Sequence, residues 1–445
     1  MSVTKLLAAL LLAWGTASAA EATDLLEAYH AAQAQDPVFA AAVAQHQAGL
    51  EKLPQGRSLL LPDVSLNANS TFNEDSILYP NAPNNLPFPQ GAFRFNSHGY
   101  GVTLVQPLFR QQNWVIYTES ELQVAQADAQ FKNAQNDLIL RVAKAYFDVL
   151  IAQDTVELAE AQKAAISEQL EQAKRNFEVG TATITDTHEA QSRYDLVDAQ
   201  EIAARSNLEI KKRELQQLTN EMPDQLQHLG KQFKLQGPQP ADMQKWVDLA
   251  QQGNLQLTAA QISEQLAEKE VARNRGGHYP TVDLVANYSQ TRANGGTFGV
   301  GNQNSYKSVG VQLNVPIFEG GRIQSQWREA EANRDRAKDE LENTRRTTAT
   351  QTRQAYLGVY NGMAQVKALQ AALKSSESLL EASKLGQQVG VRTNLDVLNA
   401  QQQLYSTRRD LYQAEYTYLL SELQLKAAVG GLTENDLKAV NEALH

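Results

Sequence analysis

Proline and glycine are confined to a few stretches of this 445-residue chain, and that confinement limits its fold more than any other feature. All 13 prolines fall at positions 37 to 107, 223 to 240, 280 and 316, so residues 108 to 222 and 317 to 445 hold none. In the first of these stretches Gly180 is the only glycine. Helix interiors exclude Pro for its missing N–H and ring clash, and Gly for its backbone entropy. The residues between are rich in Ala and Gln. Each stretch is therefore expected to fold as helix, turn, helix. In the first, a long helix covers 111 to 178 and a return helix about 183 to 220. At about 1.5 Å per residue the long helix spans roughly 100 Å, too long for a compact domain of this mass.

Apolar or small residues step by 4 and 3 along the first helix: Leu138, Val142, Ala145, Val149, Ala152, Val156, Ala159, then Ile166, Leu170, Ala173 and Phe177, interrupted only by Lys163. The return helix keeps the rhythm at Ala190, Tyr194, Val197, Ala204, Leu208, Leu215 and Leu218. A heptad seam must pack on neighbouring helices. Gly362, Ser376 and Ser383 stand at the corresponding places in the second stretch, where close backbone approach is expected.

The chain is a tandem duplication. Phe177 to Asp186 matches Gln387 to Asp396, and Ala145-Tyr146 matches Ala355-Tyr356, both at an offset of 210. Upstream, Pro62-Asp63-Val64 matches Pro280-Thr281-Val282 at 218, and Gln106-Pro107-Leu108-Phe109 matches Val315-Pro316-Ile317-Phe318 at 209. The expected organisation is an export signal over 1–19, repeat 1 over 20–220, a connecting segment over 221–253, repeat 2 over 254–429 and a C-terminal segment over 430–445. Within the repeats, a helix comes first, over about 38–61 in repeat 1; strand hairpins follow at about 63–109 and 281–316, and helical hairpins at about 111–220 and 322–429. The two connecting segments are placed near the middle of the helical columns, where they could form a collar. The signal rests on Lys5, the apolar block Leu6 to Trp14 and the small residues Ala17-Ser18-Ala19-Ala20.

The segments before the long helices alternate instead. Val282, Leu284, Ala286 and Tyr288 are interleaved with Asp283, Asn287 and Ser289; Val309, Val311, Leu313 and Val315 with Ser308, Gly310, Gln312 and Asn314. Repeat 1 offers Val64, Leu66, Ala68 and Phe72, then Tyr100, Val102 and Leu104, joined by a polar loop from Asn73 to Gly91. About ten residues of alternation make a strand with one apolar and one polar face. Four strands are too few to close a barrel; two, three or four copies would supply eight, twelve or sixteen. An oligomer around a wet lumen follows. After the N-terminus no 18-residue apolar run exists and the mean hydropathy is −0.44, which argues against helical membrane spans and leaves strands open.

Composition removes other classes. There is no cysteine, hence no disulfide framework, thiolate metal site or cysteine nucleophile. With 40 Lys plus Arg against 50 Asp plus Glu, the net charge of −10 argues against a nucleic-acid partner. The seven histidines form no i, i+3 or i, i+4 pair, and neither a G-x-S-x-G elbow nor a Walker loop is present. No enzyme, cofactor or metal site is indicated. The competing reading is an exported coiled-coil structural or surface fibre without a pore; ion conductance and a heat-sensitive trimer separate the two.

The element order, the duplication and the turn residues Val179-Gly180 with Thr185-Asp186 and Val389-Gly390 with Arg392-Thr393 and Asp396-Val397-Leu398 resemble the TolC family of Gram-negative outer-membrane exit channels, over essentially the whole mature chain. The resemblance implies a mainly α protein with membrane β: a homotrimer in which a 12-stranded outer-membrane β-barrel, four strands per chain, continues into a 12-helix coiled-coil periplasmic barrel. It also implies a gated duct for drug efflux or type I protein secretion, bounded by outer-membrane lipid. Its partners would be a periplasmic adaptor (membrane fusion) protein and an inner-membrane transporter of RND, ABC or MFS type. The transporter would supply the energy.

Thr183-x-x-Asp186 and Thr393-x-x-Asp396 each fit a capping box. The resemblance adds that Asp396 points into the periplasmic constriction, where three copies make an anionic ring, and that Arg392 latches onto Thr185 and Asp186 of the neighbouring hairpin. Two positions depart from the family. The second ring carboxylate is Asn399 here, halving the ring charge, and the latch aromatic is Gln387, leaving the Arg392 half. Gly180 and Gly390 mark turns that need positive φ, or the seat of an adaptor hairpin.

Overall fold

A computed structural model describes residues 23–78, 80, 90–223, 225–230, 234–296 and 300–444. The export signal expected over 1–19 lies outside them. The chain divides into two compact units, one formed by Gln45–Gln130 with Thr258–Thr344, the other by the described parts of Met1–Ala44, Phe131–Leu257 and Arg345–His445.

The first unit carries a four-stranded antiparallel sheet of β1 (Asp63–Ile77), β2 (Gly91–Phe109), β3 (Thr281–Ala293) and β4 (Asn302–Asn314), in that spatial order. The register decides its chemistry. Leu66 pairs with Val102, Val102 with Tyr288, Leu104 with Ala286, and Ala286 with Val309, so apolar residues collect on one face. Ser65, Thr103, Asn287 and Ser308 line up across the other, where Thr103 Oγ1 donates to Asn287 Oδ1 at 3.0 Å. Val64, Leu66, Val309, Val311 and Leu313 are all exposed. Such a face in water would be costly, and it matches the surface a lipid-facing strand presents. Pro107 has no N–H for the ladder, and the β2–β3 register shifts between Pro107 and Phe109. Beyond that break Arg110 forks onto Asp283, with bonds of 2.8 and 2.7 Å, tying the end of β2 to the start of β3.

Two boundaries differ from the sequence reading. Asn73 to Ile77 and Gly91, both inside the expected loop, are strand, because the polar run still alternates: Phe93 and Phe95 are interleaved with Arg94 and Asn96, and Arg94 bonds Glu74 across the ladder at 2.7 Å. The helix expected before β1 is broken into α2 (Pro37–Leu50) and α3 (Lys52–Ser58). Pro54 has no N–H for the Leu50 carbonyl, and its ring clashes with that carbonyl.

The long helices α4 (Gln111–Glu178) and α8 (Arg322–Gln388) are uninterrupted. In the second unit each turns back, into α5 (Ile184–Thr219) and α9 (Asn394–Ala428). The seam is buried from Leu138 to Val156 and again at Ile166, Leu170 and Ala173, with Ala159 half-buried between them, but Phe177, one step further, is 44% exposed. Lys163 interrupts the seam without orphaning its charge, because Asp198 and Glu201 of α5 hold its ammonium at 2.5 and 2.9 Å. A main core around Tyr146, Phe147, Leu150, Tyr418 and Leu423 gathers the remaining elements, α1 (Leu25–Gln35), α6 (Met243–Gly253) and α10 (Glu434–Asn441). Helix α7 (Leu255–Arg275) leads through a 3₁₀ turn to β3.

The connecting segment between α5 and α6 has little regular structure of its own. Three tyrosines from the long hairpins satisfy its backbone, as buried polar groups require. Tyr146 Oη lies 3.0 Å from the Thr23 carbonyl and accepts the Gln227 N–H at 3.0 Å. Tyr356 Oη donates to the Ala241 carbonyl at 2.9 Å, and Tyr418 Oη to that of Gln236 at 2.6 Å. Tyr146 and Tyr356 are the duplicated pair, doing the same job in each repeat.

Candidate functional site: the two helical tips

Both helical hairpins turn through the same backbone. Gly180 has φ +75° and Gly390 φ +81°, a region that costs about 1–2 kcal/mol for any residue with a Cβ. The last turn of α4 is closed by the Thr181 N–H donating to the Asn176 carbonyl at 2.8 Å; in α8 the Val391 N–H donates to Gly386 at 2.9 Å. These bonds satisfy carbonyls that a helix end leaves open. A Cβ built at either glycine meets nothing within 4 Å, so the requirement is conformational and the space around both turns is open.

The return helices start with full capping boxes. Thr183 N–H donates to Asp186 Oδ2 at 2.9 Å, and the Asp186 N–H returns to Thr183 Oγ1 at 3.3 Å. Thr393 and Asp396 repeat this at 2.8 and 3.2 Å. The backbone and hydroxyl of Thr393, with the Arg392 charge, hold the Asp396 carboxyl below the usual carboxylate range. Only Oδ2 is used by the cap. Oδ1 faces Arg392 Nη1 at 3.7 Å, so one carboxylate starts the helix and keeps a charged oxygen for a second task.

The other expected residues are placed as follows. Within one chain Arg392 pairs with Asp396 and makes no ion pair with Asp186 among the described residues; Thr185 is exposed on the first turn of α5. Gln387 Nε2 donates to Asn394 Oδ1 at 3.2 Å, inside its own hairpin. Asn399 is held by a residue that the sequence reading did not single out: Arg193 Nη2 donates to Asn399 Oδ1 at 3.0 Å, and Nη1 to Gln402 Oε1 at 2.6 Å. The signal was available, since Arg193 stands seven residues after Asp186 and so shares its helix face.

Among the exposed residues of the turns several are apolar, beside the polar Glu178, Thr181, Gln388 and Arg392. Val179, Val389 and Val391 are 72%, 66% and 76% exposed, flanked by Ile184 and Leu385.

Comparison with known proteins supplies the context. The family model described as outer membrane efflux protein matches residues 28–221 and 246–431, one match per repeat. The chain is 35% identical over 435 residues to the outer membrane protein TolC of Vibrio cholerae, covering 97% of this chain and 96% of that one. It is 33% identical over 432 residues to the alkaline protease secretion protein AprF of Pseudomonas aeruginosa, covering 94% and 87%. Among solved structures, the CmeC outer membrane channel of Campylobacter jejuni superposes with a TM-score of 0.78 at 18% identity, over 94% of this chain and 89% of that chain.

Proposed function

The chain belongs to the outer membrane efflux protein family, and from that premise we propose that its helical tips form the periplasmic gate of an outer-membrane exit duct. Its relatives include TolC, the protease secretion proteins AprF and PrtF and the efflux protein BepC. They are channel proteins rather than enzymes, and the family places the barrel in the Gram-negative outer membrane and the helical part in the periplasm. The protein is an exit duct of efflux and type I secretion systems.

The observation that carries this reading is the two-faced sheet. Its outer strands β1 and β4 pair with no further strand among the described residues. A free ladder edge seeks a partner. TolC-family channels are homotrimeric, and three such sheets joined edge to edge supply twelve strands with polar side chains inward. None of the described helices is long and apolar enough to cross a membrane. A fibre would have no use for an apolar sheet face, and nothing favours that alternative.

The finer assignments rest on the tips. Three copies of Asp396, each ionised by its own cap, form an anionic ring at the narrow end. Asn399 contributes an amide where a second carboxylate would double that charge, so multivalent cations should block weakly. In the trimer Arg392 exchanges its loose 3.7 Å contact with Asp396 for Thr185 and Asp186 of the neighbouring hairpin, closing the gate. The exposed valines around Gly180 and Gly390 seat the hairpin of a periplasmic adaptor, which recruits the inner-membrane transporter. The segments 221–253 and 430–445 form a collar, and the signal of residues 1–19 directs export.

Two measurements test this. Purified protein in planar bilayers should conduct as a trimer whose gel migration changes on heating, and deleting its gene should remove a secreted protein or raise drug susceptibility. Absence of both cellular effects would sink the duct. Arg392→Ala should raise single-channel conductance by cutting the latch, and an unchanged conductance would remove Arg392 from the gate.

A further inference from the structure

The first hairpin and α9 touch through few side chains near the tips. Leu398 of α9 is buried among Ile166, Leu170 and Ala173 of α4 and Ala190 and Val197 of α5. Tyr405 Oη donates to the Ala161 carbonyl of α4 at 3.2 Å. Between these two anchors lies Arg193. Its guanidinium spans Asn399 and Gln402 at 3.0 and 2.6 Å, both neutral amides, and no carboxylate of the described residues lies within ion-pair distance of it. The rest of its charge is therefore not cancelled locally. Asp396, Asn399 and Gln402 follow at intervals of three along one face of α9, about 4.5 Å of rise per interval. A guanidinium held on Asn399 thus lies on the order of one Debye length, ~8 Å at physiological salt, from the Asp396 carboxylate.

We propose that Arg193 is a specificity-determining residue of the gate: clasped on Asn399 and Gln402, it offsets the Asp396 charge and sets the ion selectivity of the constriction. The chemistry explains why the amide at 399 suits this chain. A carboxylate there would pair with Arg193 and consume its charge, whereas an amide accepts one bond and leaves the cation to act on permeating ions. Beside the Arg392 and Asp186 of the latch, each protomer then brings the Asp396 carboxylate and the Arg193 guanidinium to the narrow end. The inference rests on the reading of Asp396 as part of the constriction.

The test is the reversal potential of purified trimers in planar bilayers under a KCl gradient. Arg193→Gln, which keeps an amide able to reach α9, should shift it toward the cation equilibrium potential. Arg193→Lys, which keeps the charge and loses the fork, should leave it near the unaltered value. Asp396→Asn should shift it in the opposite direction. No shift in Arg193→Gln overturns the proposal, as does an equal shift in Arg193→Lys, which would make the effect one of helix placement. If Asp396→Asn shifts the potential while Arg193→Gln does not, the gate stands and Arg193 leaves it; if neither does, the reading of the constriction falls with it.

Discussion

Arg141→Ala should destabilise the helical unit by about 3–5 kcal/mol, the cost of leaving a buried carboxylate without its partner. Asp36 joins α1 to α2, and its side chain is 2% exposed. It accepts the Phe39 N–H at 3.0 Å, which caps α2, and Arg141 Nη2 of α4 at 2.7 Å, while Arg141 Nε is held by Asp137 at 2.7 Å. Burial pushes the Asp36 carboxyl up, but the Arg141 bond and charge and the two amide bonds outweigh it, leaving the group below the usual carboxylate range. The sign follows from linkage. A depressed folded pKa contributes stability above the unfolded value, about 3.9, and loses it as pH falls through the folded value. Arg141→Ala reverses this: burial without the guanidinium raises the carboxyl, so the variant is weakest at neutral pH and approaches the parent in acid. Chemical denaturation followed by circular dichroism in one detergent, at pH 7.5 and pH 4, measures both slopes. A variant whose deficit is the same at the two pH values would show that Asp36 is not the group involved.

What could be read from the sequence was whatever the chain specifies over one or two turns. The long helices follow from missing Pro and Gly, and the caps at Thr183-Asp186 and Thr393-Asp396 from a four-residue pattern whose atoms all lie in that pattern. The two-faced sheet follows from alternation, and its register keeps the alternation where Leu66 meets Val102, Leu104 meets Ala286 and Ala286 meets Val309, whereas Phe72 pairs with Asn96 and Phe95 with Asn73. The misses involve longer reach or a competing local rule. Pro54 breaks the helix expected over about 38–61. Phe177 keeps the heptad step yet stands clear, because the seam has no facing residue so close to the turn. Lys163 looked like a fault in the seam and is satisfied by Asp198 and Glu201, thirty-five and thirty-eight positions away. Arg193 reaches Asn399 across 206 residues, a pairing that periodicity within one helix does not contain. The duplication supplied the equivalence of Tyr146 and Tyr356 but not its purpose, since the backbone both hold, at Gln227 and Ala241, belongs to the connecting segment and to neither repeat.

That purpose leads to the other large effect. Tyr146→Ala should cost about 3–5 kcal/mol, because the ring is fully buried and its loss leaves a cavity in the main core. Tyr146→Phe should cost only about 1–2 kcal/mol, the penalty for leaving the Gln227 N–H and the Thr23 carbonyl without the hydroxyl. The phenol stays neutral throughout, since burial raises it above its ordinary value, so neither cost should vary with pH between 5 and 8, unlike that of Arg141→Ala. Tyr356→Phe loses a single bond to Ala241 and should fall at or below the Tyr146→Phe value. Unfolding midpoints of the three variants rank these effects, and limited proteolysis locates them. Tyr146→Phe should open the connecting segment near Gln227 to cleavage while α4 and α5 stay resistant, whereas Tyr146→Ala should loosen both. A Phe variant as damaged as the Ala variant would assign the core's strength to the polar peg and not to the ring, and a Phe variant with an unchanged cleavage pattern would show that the segment is held by its apolar contacts alone.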